Sequence, residues 1–436
     1  MPVRFISAFL LAATVARASI NPASHAHTDD RRLPSRWYHE EGHPVHSLFR
    51  RAGSNDGVTY AAIGTPEWSA GFPTDLTLAT STPQAWIDAL SRAVTAGKIP
   101  DIPMSTSSNL DNPTYPTGFD PYSANVCSST YKCVSPGDVW DAPPGVLALS
   151  FDDGPLPASS TLYDFLVKNN ERATHFFIGQ NILLHPQEFQ TAINNQDDLA
   201  VHTWTHPFMT SKSNEEVVAE LGWSMWIVHN STGGRIPRFW RPPYGDSDMR
   251  VRAIAKEVFG LTTVIWNQDT DDWTLDQNPP GTTLEKIGTQ MQTWLTGPKT
   301  TGLVILEHEL SDLSVQSFMA AYPLMVANGW KRVSLAQMDG LGAYLNALDA
   351  ASPVTPAQVG DPNIKPPPAN TTILHKAMPT SAPHAAGPVT QTSSSHSASG
   401  SPHANQKSGA EHFGAASLVL SGITTFIAAV AGSVLL

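Results

Sequence analysis

The residues best suited to chemistry sit at the ends of apolar runs. In "SFDDGP" an apolar stretch ends in Asp152-Asp153, two adjacent negative charges that repel each other. A cation, or a proton to be moved, explains such a doublet better than packing does. In "VHTWTHP" two imidazoles, His202 and His206, follow another apolar run, Arg241 ends "RFWR", Asp269 and Asp272 lie in "WNQDTDDW", and His308 ends "LVILEH". Two imidazoles and one carboxylate form a common zinc set for hydrolysis, with one position left open for water. Asp153 is the better carboxylate ligand because its neighbour Asp152 then has a use as the base for metal-bound water. Three histidines, or two histidines with Glu307 or Glu309 beside His308, remain the alternative sets.

The elements that must position these groups read as alternating strands and helices. "GVLALSF", "ATHFFI", "LAVHTW", "RFWRPP", "TTVIWNQD", "GLVILEHE" and "WKRVSL" have strand character. Helical stretches lie between them, at "STLYDFLVKNN", "LLHPQEFQTAINN" and "SNEEVVAELGWSMWIVHN". In the last of these, Ser213 and Glu216 make a capping box, and Val218, Leu221, Met225 and Val228 share one face. Repeated strand–helix units of this length imply parallel strands covered by helices and closed as a barrel, with an open doubly wound sheet as the alternative. Every group named above then falls at the carboxyl end of a strand, where barrel loops gather.

The rest of the chain brackets this region. Of 436 residues, only 15% are charged, and the formal charge of −12 argues against nucleic acid as a partner. Residues 1–18 read as a secretory signal: Arg4, an apolar stretch from Phe5 to Val15, then Ala16-Arg17-Ala18. In an oxidising compartment Cys127 and Cys133, the two cysteines, are expected to pair. Asn230 and Asn370 fit the glycosylation triplet. Residues 19–144 read as an irregular extension packed on the larger body, with Arg50-Arg51 as a possible processing site. Residues 352–412 have too few apolar residues to offset the entropy of ordering and read as a disordered stalk. The apolar tail at 415–436, preceded by small residues, resembles a lipid-anchor signal with Ser408 as attachment residue; Asn405, Ser399-Gly400 and a retained tail helix are the alternatives. The chain is expected to be a secreted monomer anchored at the plasma membrane and cell wall.

"SFDDGP", "HTWTH", "RPPYG", "DTDDW" and "LEHE", in this order over residues 145–345, resemble the NodB-homology polysaccharide deacetylases, carbohydrate esterase family four. With the leader, stalk and tail, the chain is similar to the fungal chitin-deacetylase branch. The resemblance implies a distorted (β/α) barrel that releases acetate from chitin or chitin oligomers with one divalent metal, zinc, cobalt or manganese. It implies Asp152 as general base and Asp153, His202 and His206 as metal ligands. Arg241 would hold the base, and His308 would be the general acid, oriented by Asp272. The backbone N–H of Tyr244 would bind the oxyanion and product acetate, with Trp266 and Leu306 as walls of the acetyl pocket.

Overall fold

A computed structural model gives the architecture and describes residues 55–74, 81–107, 111–364 and 366–367. The leader at 1–18, the Arg50-Arg51 pair, Asn370, Ser408 and the tail at 415–436 lie outside the described residues. Among the described residues the strands are β1 (Val146–Asp152), β2 (Thr174–Phe177), β3 (Asp198–Val201), β4 (Phe239–Trp240), β5 (Thr262–Thr263), β6 (Gln268–Asp269), β7 (Leu303–Leu306) and β8 (Lys331–Ser334). The helices are α1 (Pro66–Ser69), α2 (Gln84–Thr95), α3 (Ser159–Lys168), α4 (Gly179–Leu184), α5 (Pro186–Asn194), α6 (Asn214–Ser231), α7 (Met249–Phe259), α8 (Leu284–Thr296) and α9 (Asp312–Ala327). None of these helices is long and apolar enough to cross a membrane.

The strands are parallel and ordered β5-β4-β3-β2-β1-β7-β6. Strand β1 is buried along its whole length, which is why its sequence runs apolar without alternation. It changes partner midway: Val146 to Leu149 pair with β8, and Ser150 to Asp152 pair with β2. The run "TTVIWNQD" is one strand by its residues, yet it pairs in two halves. Thr262-Thr263 face β4, Gln268-Asp269 face β7, and Val139 is wedged between through bonds to Thr263 O (2.9 Å) and from Ile265 N–H (2.7 Å). One continuous stretch of chain thus joins the two ends of the strand order, and the circuit is a distorted barrel. Parallel strands bring all carboxyl ends to one rim.

Helix α6 starts at the capping box of Ser213 and Glu216, with the serine side chain on the Glu216 N–H and the glutamate on the Ser213 N–H. Its apolar row is buried, and so are Val217, Ala219 and Trp223 on other sides, because α2 and α7 cover it as well as the barrel. Helix α2 is a departure from the irregular extension expected over residues 19–144. Trp86, Ala89, Leu90 and Ala93 recur at helical spacing and are buried, and the Trp86 ring meets Trp223, Trp226 and Phe259 edge-on at 5.5, 6.3 and 5.8 Å. The Trp86 indole donates to Val359 O at 2.9 Å.

That bond corrects the expected start of the stalk. Val354 and Val359 are buried, Thr355 N–H bonds Asn346 O, and Ala357 O meets the His229 ring, so the chain from Val354 to Val359 is anchored on the body while residues between these contacts stay exposed. Apolar residues are sparse there, but the body supplies the partners that the segment lacks. A second departure is the helix expected over "LLHPQEFQTAINN". Pro186 cannot continue a helix but suits its first turn, so the stretch splits into α4 and α5.

Candidate active site

The rim at the carboxyl ends of the strands gathers Asp152, Asp153, His202, His206, Arg241, Tyr244, Trp266, Asp272, Leu306 and His308. Asp152 closes β1 and Asp153 turns away from it at φ 72°, in the left-handed region. Thr203, His206, Tyr244 and Asp271 also have positive φ, at 66°, 59°, 58° and 56°. Each such non-glycine residue costs on the order of 1–3 kcal/mol and persists only where neighbours over-determine it. Five of the nine non-glycine residues with positive φ among the described residues lie on this rim, where neighbours must hold the chain against that cost.

The holders are identifiable. The Asn181 side chain donates to Asp153 O at 2.8 Å. The turn between the two histidines is fixed by buried Glu220 of α6, whose Oε2 accepts from the N–H groups of Trp204 and Thr205, both at 2.8 Å. Thr203 Oγ1 accepts from His206 N–H at 3.1 Å. His202 is oriented through Nδ1, 2.7 Å from Arg241 O, which turns Nε2 toward the carboxylates. The loop carrying Tyr244 rests on the pair Cys127–Cys133, which forms a disulfide: Ser129 Oγ donates to Gly245 O (2.7 Å) and Thr130 Oγ1 to Asp246 Oδ1 (3.1 Å).

Asp153 Oδ1 stands 3.3 Å from His202 Nε2 and 3.2 Å from His206 Nε2, and the three ligand atoms lie within 4.8 Å of one another. That oxygen is buried and, among the described residues, accepts no hydrogen bond. Burial acts to raise the Asp153 pKa, but His206 and His202 outweigh it and hold the carboxyl well below the usual range. An orphaned carboxylate oxygen facing two imidazole nitrogens fits a divalent cation. Glu307 and Glu309, the alternative ligands, lie outside this group. Glu309 bonds His175 instead, and Glu307 is buried with its pKa raised well above the carboxylate range by burial and by Asp272.

Asp152 is turned the other way. Its Oδ1 receives Arg241 Nη1 at 2.6 Å, while its Oδ2 lies 3.9 Å from His202 Nε2. Arg241 is fully buried, its second amine reaching Ser150 Oγ at 3.0 Å. Removing one partner from such a buried pair costs about 3–5 kcal/mol.

His308 lies beside Asp152 across the β1–β7 ladder, through Asp152 N–H to Glu307 O and Glu309 N–H to Asp152 O, both 3.1 Å. Its Nδ1 is 2.5 Å from Asp272 Oδ1, and its backbone N–H donates to the other oxygen at 2.9 Å. Burial alone would lower the His308 pKa. Asp272 overrides it, with help from Asp153 and Asp152, and pushes it up to about 10. Among the described residues nothing bonds its Nε2, which leaves that N–H for a substrate.

The remaining expected positions also fall here or nearby. Tyr244 is half exposed, its ring stacked on Phe208 at 4.1 Å and edge-on to His206 at 4.7 Å, and its backbone N–H donates to no acceptor among the described residues. Trp266 packs against Gly245 and fixes its indole on Asp269 Oδ2 at 3.0 Å, and Leu306 ends β7. Asn230 lies apart, in the last turn of α6, bonded to the His229 ring at 2.8 Å. Sequence reasoning missed Glu220, Ser150 and His175. A lone carboxylate inside the apolar stretch Val217 to Trp223 was the available signal for Glu220.

Residues 141–264 match the family model for polysaccharide deacetylase, a segment holding the doublet, both histidines, Arg241 and Tyr244. Chitin deacetylase 3 of Cryptococcus neoformans var. neoformans serotype D is 42% identical over 325 residues, covering 72% of this chain and 75% of that protein. Chitin deacetylase 1 of Saccharomyces cerevisiae is 37% identical over 236 residues, covering 54% of this chain and 74% of that protein. Among solved structures, the chitin deacetylase of Colletotrichum lindemuthianum aligns with a TM-score of 0.43 at 21% identity, over 47% of this chain and 92% of that one. The chain belongs to the polysaccharide deacetylase family.

Proposed function

We propose that the chain hydrolyses N-acetyl groups on chitin, releasing acetate and leaving free amines on the polymer. The observation that carries this reading is the division of the doublet: Asp153 faces two imidazoles while Asp152 faces Arg241. The relatives named chitin deacetylase support chitin as the substrate.

Asp153, His202 and His206 would hold a divalent cation, which when bound supplies Lewis-acid polarisation and a water of lowered pKa. Zinc, cobalt and manganese all suit this donor set. Asp152, held by Arg241, accepts the proton of the attacking water. The Tyr244 N–H donates to the oxygen on which negative charge grows. His308 Nε2 donates a proton to the leaving nitrogen. An amide needs this donation more than an ester does, because an amide anion is a poor leaving group. Asp272 keeps the imidazole protonated and aimed. Trp266 and Leu306 give the acetyl methyl an apolar wall. The leader and tail of the sequence support a secreted protein held at the cell surface by a lipid anchor.

Acetate release from chitin oligomers by the purified protein tests the reading. Release that a chelator abolishes and added zinc or cobalt restores is expected. Release from acetylated xylan with none from chitin oligomers would move the substrate to another polymer. Binding to chitin without turnover, metal supplied, would make the protein a wall-binding relic.

A further inference from the structure

Behind the rim lies a second histidine–carboxylate pair that the chemistry above does not use. His175, on β2, is fully buried, its ring flanked by Phe151 and Phe177 at 5.9 and 5.4 Å with interplanar angles of 26° and 28°. Its Nδ1 is 2.8 Å from Glu309 Oε1, and its Nε2 is 3.7 Å from Asp197 Oδ2. Glu309 is also fully buried, and its other oxygen has no hydrogen-bond partner. A buried ionic group is a poor stabiliser compared with an apolar one of the same volume, so its place needs another reason.

The place itself suggests one. Glu309 directly follows His308, and its N–H bonds the carbonyl of Asp152 at 3.1 Å. Its carboxyl fills the space beside Gly154 so closely that a Cβ on that glycine would collide with it. On the other side Ile178 N–H bonds Gly154 O at 3.0 Å, tying the same turn to the end of β2, the strand that carries His175. The turn Asp152-Asp153-Gly154 is therefore clamped between β2 and the residue after His308, with the His175–Glu309 bond closing the clamp from behind. Asp153, at φ 72°, needs such a clamp to keep its strained backbone.

We propose that the buried His175–Glu309 pair is a positioning device for this turn, setting Asp153 against the two imidazoles and Asp152 beside His308. The inference rests on the reading of Asp153 as metal ligand and Asp152 as base. Without the His175–Glu309 bond the side chain at position 309 is free to shift and the turn to relax, without touching substrate.

The test compares Glu309→Gln, His175→Gln and the double variant His175→Gln/Glu309→Gln in the full chain. Their kcat and KM on chitin oligomers, zinc affinity and thermal unfolding are measured. Each single variant is expected to lose at least tenfold in kcat and about tenfold in zinc affinity, with KM within twofold. The double variant leaves neither member of the pair as an unpaired charge, although Asp197 loses its imidazole neighbour as it does in His175→Gln; it regains part of the lost thermal stability, but kcat and zinc affinity stay low. Recovery of kcat together with stability in the double variant, or parent-like kcat and zinc affinity in the single ones, would overturn the proposal by making the pair a core contact only. Gly154→Ala approaches the same contact from the turn and is expected to give the same loss of zinc affinity; parent-like affinity there counts against the clamp. Asp153→Ala and Asp152→Asn serve as controls: if the first keeps metal binding, or the second keeps activity, the underlying reading fails, whatever the pair does.

Discussion

The molecule holds two buried imidazoles against carboxylates, His308 on Asp272 and His175 on Glu309, and in chemistry they are nearly the same. In both, burial works to lower the histidine pKa, the partner carboxylate overrides it, and the balance comes out at about 10. The difference is at the second nitrogen. Among the described residues the Nε2 of His308 has no partner at the rim, whereas His175 turns Nε2 toward Asp197 in the sealed core. A protonated imidazole becomes an acid catalyst by having somewhere to send its proton. The same pair without access becomes a brace.

The contrast is sharpest in paired substitutions. His308→Gln is expected to lower kcat by roughly a thousandfold, within the range for general acids, and to lower the melting temperature as well, because Asp272 is left buried without its cation. His175→Gln is expected to lower the melting temperature to a similar degree but to cost only about tenfold in kcat. Equal losses of activity in the two would erase the distinction.

Asp272→Asn comes next, with a kcat loss of about a hundredfold. The acid works protonated, so activity falls as pH rises through the His308 pKa. Removing the carboxylate that raises this pKa should move the alkaline limb of the rate profile to lower pH. A limb that stays in place would detach Asp272 from the acid.

The sealed pair makes a prediction about stability. The His175 pKa is raised from 6.5 to about 10 on folding, so its stabilisation is complete below pH 6.5 and is lost as pH climbs toward 10. Melting temperature should decline across that window in the parent and decline less steeply in His175→Gln. Parallel curves would mean that His175 does not keep its proton in the fold.

Glu220→Gln should have the smallest effect, a few-fold loss of zinc affinity. The amide keeps one acceptor for the N–H groups of Trp204 and Thr205 but loses the charge that strengthens those bonds. A loss as large as that from His202→Ala would mean that the turn depends on Glu220 more than its geometry suggests.

How legible each part was in the sequence follows from the range of its contacts. Polar groups ending apolar runs gave the rim, because a parallel strand places its end residue without help from distant chain. The capping box and the face of α6 were local and read correctly. The partner switch inside "TTVIWNQD" was not legible, since both halves have strand residues and only the wedge at Val139 separates them. Helix α2 had a readable period in Trp86, Ala89, Leu90 and Ala93, obscured by the prolines around it. His175 is a polar residue in the apolar run "ATHFFI" and went unmarked, and its partner Glu309 is 134 positions away; pairing at that range is a property of the fold. The packing of Val354 and Val359 was hidden for the same reason: two apolar residues in a polar stretch mean little until a surface receives them.

The account as a whole depends on the two neighbouring aspartates doing different work. Zinc titration of Asp152→Asn and Asp153→Ala, each against the parent, measures that directly. The account predicts near-parent affinity for Asp152→Asn and a loss of a hundredfold or more for Asp153→Ala. Equal loss in both, or loss in Asp152→Asn alone, would contradict it.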